Sequence, residues 1–284
     1  MLAYLGFLRE ENIKEKSLNP YVSAINQAHA DLGLRKPAIG DRVRLLRKGY
    51  GEENGLSVKP VLGCPVPAKA IYDIALAGIE AENLEVLRDC AAVVLAFCFM
   101  HRGDTGEALH REDIQIEERG IGINPRSKTL ARNEANPSMR LHSDKFDPGR
   151  VVYRLLSRWR DRSAYYQQQD SLFWALPQDN ATGFKFPSSS VDAWLRKCLV
   201  LTGWVAPPGQ KWTGHSLRKG GASTASAIGV SQHYILLFGQ WKSLVSLQRY
   251  VGFLVVADQA AFIFFGWMLP VRFEDCTPLS VPCS

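Results

Sequence analysis

The sequence predicts a mainly α-helical protein carrying one small antiparallel β-sheet, an α+β arrangement in two unequal parts. Three observations lead there. Apolar residues recur at helical spacing over most of the chain, strand-like pieces are confined to one region near residues 115–141, and a Gly- and Pro-rich break falls near residue 56. At 284 residues the chain exceeds one minimal domain, since domains commonly run about 100 to 200 residues. Its 46% hydrophobic and 22% charged residues are enough for a sizeable core and exclude wholesale disorder.

Taken in order, residues 1–55 read as a small helical domain made of YLGFLREENI, SLNPYVSAINQAHADLGL and DRVRLLRKGY. The last segment sets Arg42, Arg44, Arg47 and Lys48 on one short helix, a basic surface suited either to a phosphate backbone or to solvent. Periodicity stops where Gly and Pro accumulate, which places an interdomain linker at 56–66 and a larger domain at 67–284. Ala68 to Met100 predicts two helices with a core-facing stripe. The run IQIEERGIGINPRSKTLARNEANPSMRL, broken at Arg119-Gly120 and Asn124-Pro125, predicts the antiparallel sheet. Helical patterns return in VVYRLLSRWRDR, VDAWLRKCLVLTGW, HSLRKGGASTASAIG and SQHYILLFGQW. Phe253 to Pro270 is apolar over a length close to a bilayer span. Asp258 and Gln259 in its middle make burial in hydrocarbon costly, so a packed helix covering its own core or docking on a partner is the better reading.

Composition narrows the function classes. A net charge of +6 and a pI near 9.0 favour a polyanionic partner without deciding the matter. The six cysteines form no CxxC pair and no Cys/His cluster at zinc-ligand spacing, so no metal site is expected. Reduced cysteines in apolar runs and a start without a basic signal-peptide region predict an intracellular protein. No phosphate-loop motif is present, and no cofactor is expected.

The informative segment is GHSLRKGGASTASAIGVSQHYILLFGQWKSLVSLQRYV, with His215 and Arg218 in an H-x-x-R pattern followed by Trp241 and Tyr250. Three apart on a helix, His215 and Arg218 share a face and can reach one phosphate. Each residue alone has a bland reading, since a lone Trp is usually core and a lone Tyr usually packing; the ordered set is much harder to obtain by accident.

This run resembles the C-terminal signature of the tyrosine recombinases, the phage integrase family. Upstream, HRGDTGEALHREDI resembles that family's R-x-S-E-L-x-x-L-x-x-x-D-I, with Arg102, Leu109, Asp113 and Ile114 at the matching offsets. Ser127-Lys128-Thr129 occupies the place of the family's hairpin lysine. The N-terminal helices resemble its core-binding domain, here apparently short at its start. The resemblance departs at Thr105, where many relatives carry an acidic residue that buttresses the first arginine, and after residue 252 it is poor. The wording GQWKS and HSLRKGGA looks more like eukaryotic mobile-element recombinases than phage integrases.

The resemblance implies a catalytic set of Arg102, Lys128, His215, Arg218, Trp241 and Tyr250. The two arginines would clamp the non-bridging oxygens with paired N–H donors, a geometry lysine cannot reproduce. Tyr250 would attack, His215 would act as base, Lys128 would protonate the leaving 5′ oxygen, and Trp241 would donate its indole N–H to the phosphate. The product would be a 3′-phosphotyrosyl link that needs neither ATP nor metal. Lys219 and Lys242 join the N-terminal basic residues as expected DNA contacts. The implied partner is double-stranded DNA, bound by a homotetramer, with a monomer allowed in its absence, in the nucleus of a eukaryote or the cytoplasm or nucleoid of a bacterium. Three rivals stand beside this: a non-catalytic DNA-binding descendant of a mobile-element recombinase, a type IB topoisomerase-like enzyme, and a helical adaptor with no DNA role.

Overall fold

The computed structural model describes residues 2–11, 13, 18–37, 62–101, 109–118, 120–123, 139–141, 150–164, 172–173, 190–251, 255 and 257–269. The chain divides into two compact units, Met1–Val61 and Leu62–Ser284. In the first, α1 (Leu2–Glu10) and α2 (Leu18–Asp31) enclose Leu5, Leu8, Leu18 and Val22, with Tyr4 and Ile13 at the margin. The expected third helix, with Arg42, Arg44, Arg47 and Lys48, lies outside the described residues.

The second unit is built around one helix. α3 (Ala68–Glu80) and α4 (Leu84–Cys98) come from the long periodic stretch, and α4 starts where the Asn83 side chain accepts from the Glu85 N–H at 2.7 Å. Every residue from Leu87 to Cys98 is buried, because α3, α5 (Val151–Ser163), α6 (Ser190–Leu201) and α7 (Gly214–Ala227) pack around it. A helix buried on all sides is a core helix. Its two buried charged residues, Arg88 and Asp89, pair with each other at 2.6 Å, and the Arg88 guanidinium lies 5.2 Å from the Trp194 ring.

The predicted sheet is three-stranded and antiparallel. β2 (Ile114–Glu117), β3 (Gly120–Ile123) and β4 (Met139–Leu141) lie in that order, with Ile116 opposite Ile121 and Ile121 opposite Leu141. A second pairing falls inside the range expected to be linker. β1 (Leu62–Gly63) runs parallel to β5 (Gln210–Lys211), and Cys64 and Val66 just after it are buried. The Val66 N–H donates to Ser216 O, so this segment is stitched to the first turn of α7.

α8 (Gln232–Phe238), α9 (Leu244–Val251) and α10 (Gln259–Phe265), the last continued by a 3-10 turn at Gly266–Met268, complete the unit. The described part of the apolar segment 253–270 covers its own core. Ala260, Ala261, Ile263, Phe264 and Phe265 are buried, and Phe264 and Phe265 pack on Phe97 at 5.5 and 5.6 Å between centroids. Asp258, the residue that argued against a membrane span, caps α10 by accepting from the Ala261 N–H at 2.9 Å. Among the described residues no helix is long and apolar enough to cross a membrane.

Candidate active site

The helix carrying the H-x-x-R pattern is pressed unusually close to its neighbours by its glycines. A Cβ on Gly220 would lie 2.3 Å from Val66 O, and one on Gly221 would lie 2.5 Å from Phe97 O. Only a bare backbone fits at either place. The close approach brings Arg218, 3% exposed, under the end of α4.

Two helix ends grip that arginine. α4 closes with the Met100 N–H donating to Phe97 O and the His101 N–H to Ala96 O. α8 closes the same way, the Gln240 N–H donating to Leu237 O and the Trp241 N–H to Leu236 O. This is the Schellman pattern, which requires a left-handed residue just past the helix. Met100 (φ 51°) and Gln240 (φ 55°) take that position. The Arg218 guanidinium donates to Met100 O from one terminal nitrogen and to Gly239 O from the other, at 2.8 Å for the latter. Carbonyls left unpaired at helix ends carry the negative pole of the helix, so a cation is favoured there.

Above the guanidinium lies an aromatic pair. The Trp241 ring is 3.7 Å from the guanidinium carbon and the Tyr250 ring 5.5 Å from it, and the two rings meet edge to face at 5.2 Å. The Tyr250 hydroxyl and His215 Nε2 are 2.8 Å apart, so with Nε2 unprotonated the phenol donates to it. α9, which carries Tyr250, is held to α7 where the Ser223 hydroxyl donates to Tyr250 O. The Trp241 indole N–H is buried without a hydrogen-bond partner. Four of the six expected residues, His215, Arg218, Trp241 and Tyr250, therefore converge within one chain. A nucleophile-type hydroxyl on a base, beside a held cation, is an arrangement that can perform nucleophilic substitution at an anionic centre.

No family model matches the chain, and no curated protein does. Solved structures do. A crystal structure of the XerH site-specific recombinase bound to its difH substrate, in a pre-cleavage complex, superposes with a TM-score of 0.53 at 15% identity, covering 85% of this chain and 68% of that one. The post-cleavage complex of XerH on a palindromic difH substrate gives 0.50 at 15% identity, over 68% of this chain and 49% of that one. The fold is that of the tyrosine recombinases.

Within that recombinase fold, the remaining expected residues fall as follows. Arg102 and Lys128 lie outside the described residues, Lys128 between β3 and β4 in the chain. Lys219 is half-buried, and its ammonium donates to Gly63 O at 2.8 Å, tying the end of β1 to α7. Lys242 is exposed.

One residue at the site was missed by sequence reasoning. His101, 5% exposed, has neither ring nitrogen hydrogen-bonded. Burial, and then the nearby Arg218 charge, push its pKa down to about 3, so the ring is neutral at ordinary pH. The signal available was a histidine closing the apolar run FCFM directly before Arg102.

Proposed function

We propose that the chain is a site-specific DNA recombinase of the integrase type, cleaving and rejoining strands through a 3′-phosphotyrosyl intermediate. The observation that carries the reading is the 2.8 Å contact between the Tyr250 hydroxyl and His215 Nε2, over the buried Arg218. A surface tyrosine kept for packing has no need of a base at hydrogen-bond distance or of a cation beneath its ring.

In this mechanism the Tyr250 oxygen bonds to the scissile phosphorus as the bond to the 5′ oxygen breaks, and the phenolic proton passes to His215. Lys128 supplies a proton to the departing 5′ oxygen. Arg102 and Arg218 hold the non-bridging oxygens, where charge builds up in the pentacoordinate state, and Trp241 donates its N–H to the same group. Because the phosphotyrosyl bond keeps the energy of the broken linkage, a second 5′-hydroxyl reverses the step on a new strand without ATP or metal. The substrate is double-stranded DNA, and strand exchange brings four protomers together on two duplexes. Arg42, Arg44, Arg47, Lys48 and Lys242 contribute to the DNA surface.

The test uses the full chain and a library of nicked duplexes with randomised arms, in which a cleaved 5′ fragment diffuses away and traps the adduct. Covalent protein–DNA species that survive denaturation are expected with wild type and absent with Tyr250→Phe. Arg218→Lys keeps the charge but loses the fork, and cleavage should fall about 100-fold or more while binding changes little. Salt-dependent binding without adduct would point instead to a non-catalytic DNA-binding protein. Relaxation of supercoiled plasmid without strand exchange would point to topoisomerase activity.

A further inference from the structure

We infer that His101 is a further residue of the phosphate site, its imidazole N–H donating to a non-bridging oxygen of the phosphate that Arg218 faces; this rests on the recombinase reading above. Two helix ends meet at Arg218. Each supplies one carbonyl to Arg218, from Met100 at the end of α4 and Gly239 at the end of α8. In each, the residue that closes the Schellman pattern is a nitrogen heteroaromatic: His101 after Met100, and Trp241 after Gln240. Both are buried, at 5% exposure each, and in both the ring nitrogens lack a hydrogen-bond partner.

A buried polar group without a partner is costly, and nearly all such groups in folded proteins are satisfied by something. Here two unsatisfied N–H groups border one guanidinium whose positive charge is already felt at His101. A single anion with several acceptor oxygens satisfies all of them together, and a phosphodiester is such an anion. His101 is suited to donating because it stays neutral beside Arg218. A neutral imidazole brings a fixed N–H without adding repulsion to a cationic site, and it is oriented by its ring contact with Phe99 at 5.7 Å between centroids. Sequence adjacency adds a further reason, since His101 immediately precedes Arg102, the expected first arginine.

The test compares wild type with His101→Phe and His101→Leu, two variants that fill the site without nitrogen. Adduct formation is timed on nicked duplexes whose scissile linkage is either the normal phosphodiester or one of the two methylphosphonate diastereomers, each lacking one non-bridging oxygen. The inference expects both variants to slow cleavage of the phosphodiester at least tenfold. With the diastereomer that lacks the oxygen facing residue 101, variants and wild type should differ by less than about threefold, because the partner of the lost N–H is already gone. DNA affinity should be unchanged within that margin. Without DNA, His101→Phe should unfold at the same or a higher urea concentration than wild type, since an unsatisfied polar ring has been replaced by an apolar one. Equal slowing on all three linkages, or no slowing on any, overturns the role of His101 while leaving Tyr250 chemistry intact. Absence of adduct with wild type on every linkage removes the recombinase reading itself, and the inference with it.

Discussion

Gly239→Ala isolates the coupling between helix ending and site. Gly239 has φ −85°, which any residue adopts, so the backbone raises no objection to alanine. The objection is the Trp241 indole, whose Cζ3, Cε3 and Cη2 atoms would lie 1.8, 2.4 and 2.7 Å from the new Cβ. To regain an ordinary carbon–carbon separation of about 3.5 Å the ring must retreat by roughly 1.5 to 2 Å. It has little room, being buried with the Arg218 guanidinium at 3.7 Å and Tyr250 against its edge. Overpacking of this kind costs about 1 to 3 kcal/mol. Urea unfolding followed by far-ultraviolet circular dichroism should move to lower midpoint by that amount. In a Trp241→Ala background the same glycine substitution should cost nearly nothing, a coupling of about 1 to 3 kcal/mol. Cleavage should fall as well, because a shift near 1 Å at a reacting centre can cost about 100-fold. A glycine variant as stable as wild type, with the same effect whether or not Trp241 is present, would refute the packing argument.

Three further outcomes follow from the same structure. Gly220→Ala would drive a methyl into Val66 O and N at 2.3 and 3.0 Å, backbone atoms that cannot swing aside; a loss of about 3 kcal/mol, the upper end for overpacking, is expected in the same urea assay, and an unchanged midpoint would contradict the tight seam between α7 and residues 62–66. Gly6→Ala meets nothing within 4 Å in the middle of α1, so helix propensity alone should stabilise the first unit by about 1 kcal/mol, seen as slower hydrogen exchange of the α1 amides. The third outcome concerns pH. Burial, opposed by Arg88, raises Asp89 to about 6, so its contribution is complete below the unfolded value near 3.9 and is lost as pH rises through about 6. His101, lowered to about 3, contributes above its unfolded value near 6.5 and loses that contribution as pH falls. Between pH 4 and 6 the two slopes oppose each other: His101→Phe should leave stability falling with rising pH and Asp89→Asn should leave it rising, and parallel profiles from urea midpoints would count against both assignments.

Much of the second unit was legible because its elements repeat a period. α3, α4, α5 and α6 coincide with apolar residues at helical spacing, and the three strands of the sheet lie where alternation is broken by turn residues. The parallel pair of β1 and β5 was not legible. Each strand is two residues long, and Gly63 meets Lys211 across about half the chain, so neither period nor turn chemistry announces it. For the same reason residues 62–66 read as linker although Val66 is fully buried. The contact of Lys219, an expected DNA contact, with Gly63 O depends on that same unannounced strand. His215, Arg218, Trp241 and Tyr250 were legible as an ordered set, whereas His101 belongs to no spacing pattern and becomes visible only through its burial and its unpaired nitrogens.

The least legible feature is also the one that organises the site. Among the described residues, α2, α6 and α7 end in the same hydrogen-bond pattern as α4 and α8, and there the left-handed position is Gly33, Gly203 or Gly229. The two ends that meet Arg218 place Met100 and Gln240 in that position instead, where a side chain costs roughly 1 to 2 kcal/mol. Met100 is fully buried, and the burial of its side chain, worth about 1.5 to 3 kcal/mol, offsets that cost. Gln240 has no such compensation, since it is only half-buried and its amide nitrogen is enclosed without a partner. A glycine there would relieve the backbone. Strain that persists without local return collects at functional sites. Gln240 stands between Gly239, whose carbonyl holds the guanidinium, and Trp241, which covers it. Under the proposed function, this α8 ending serves the phosphate held at Arg218 at the expense of the free protein's stability.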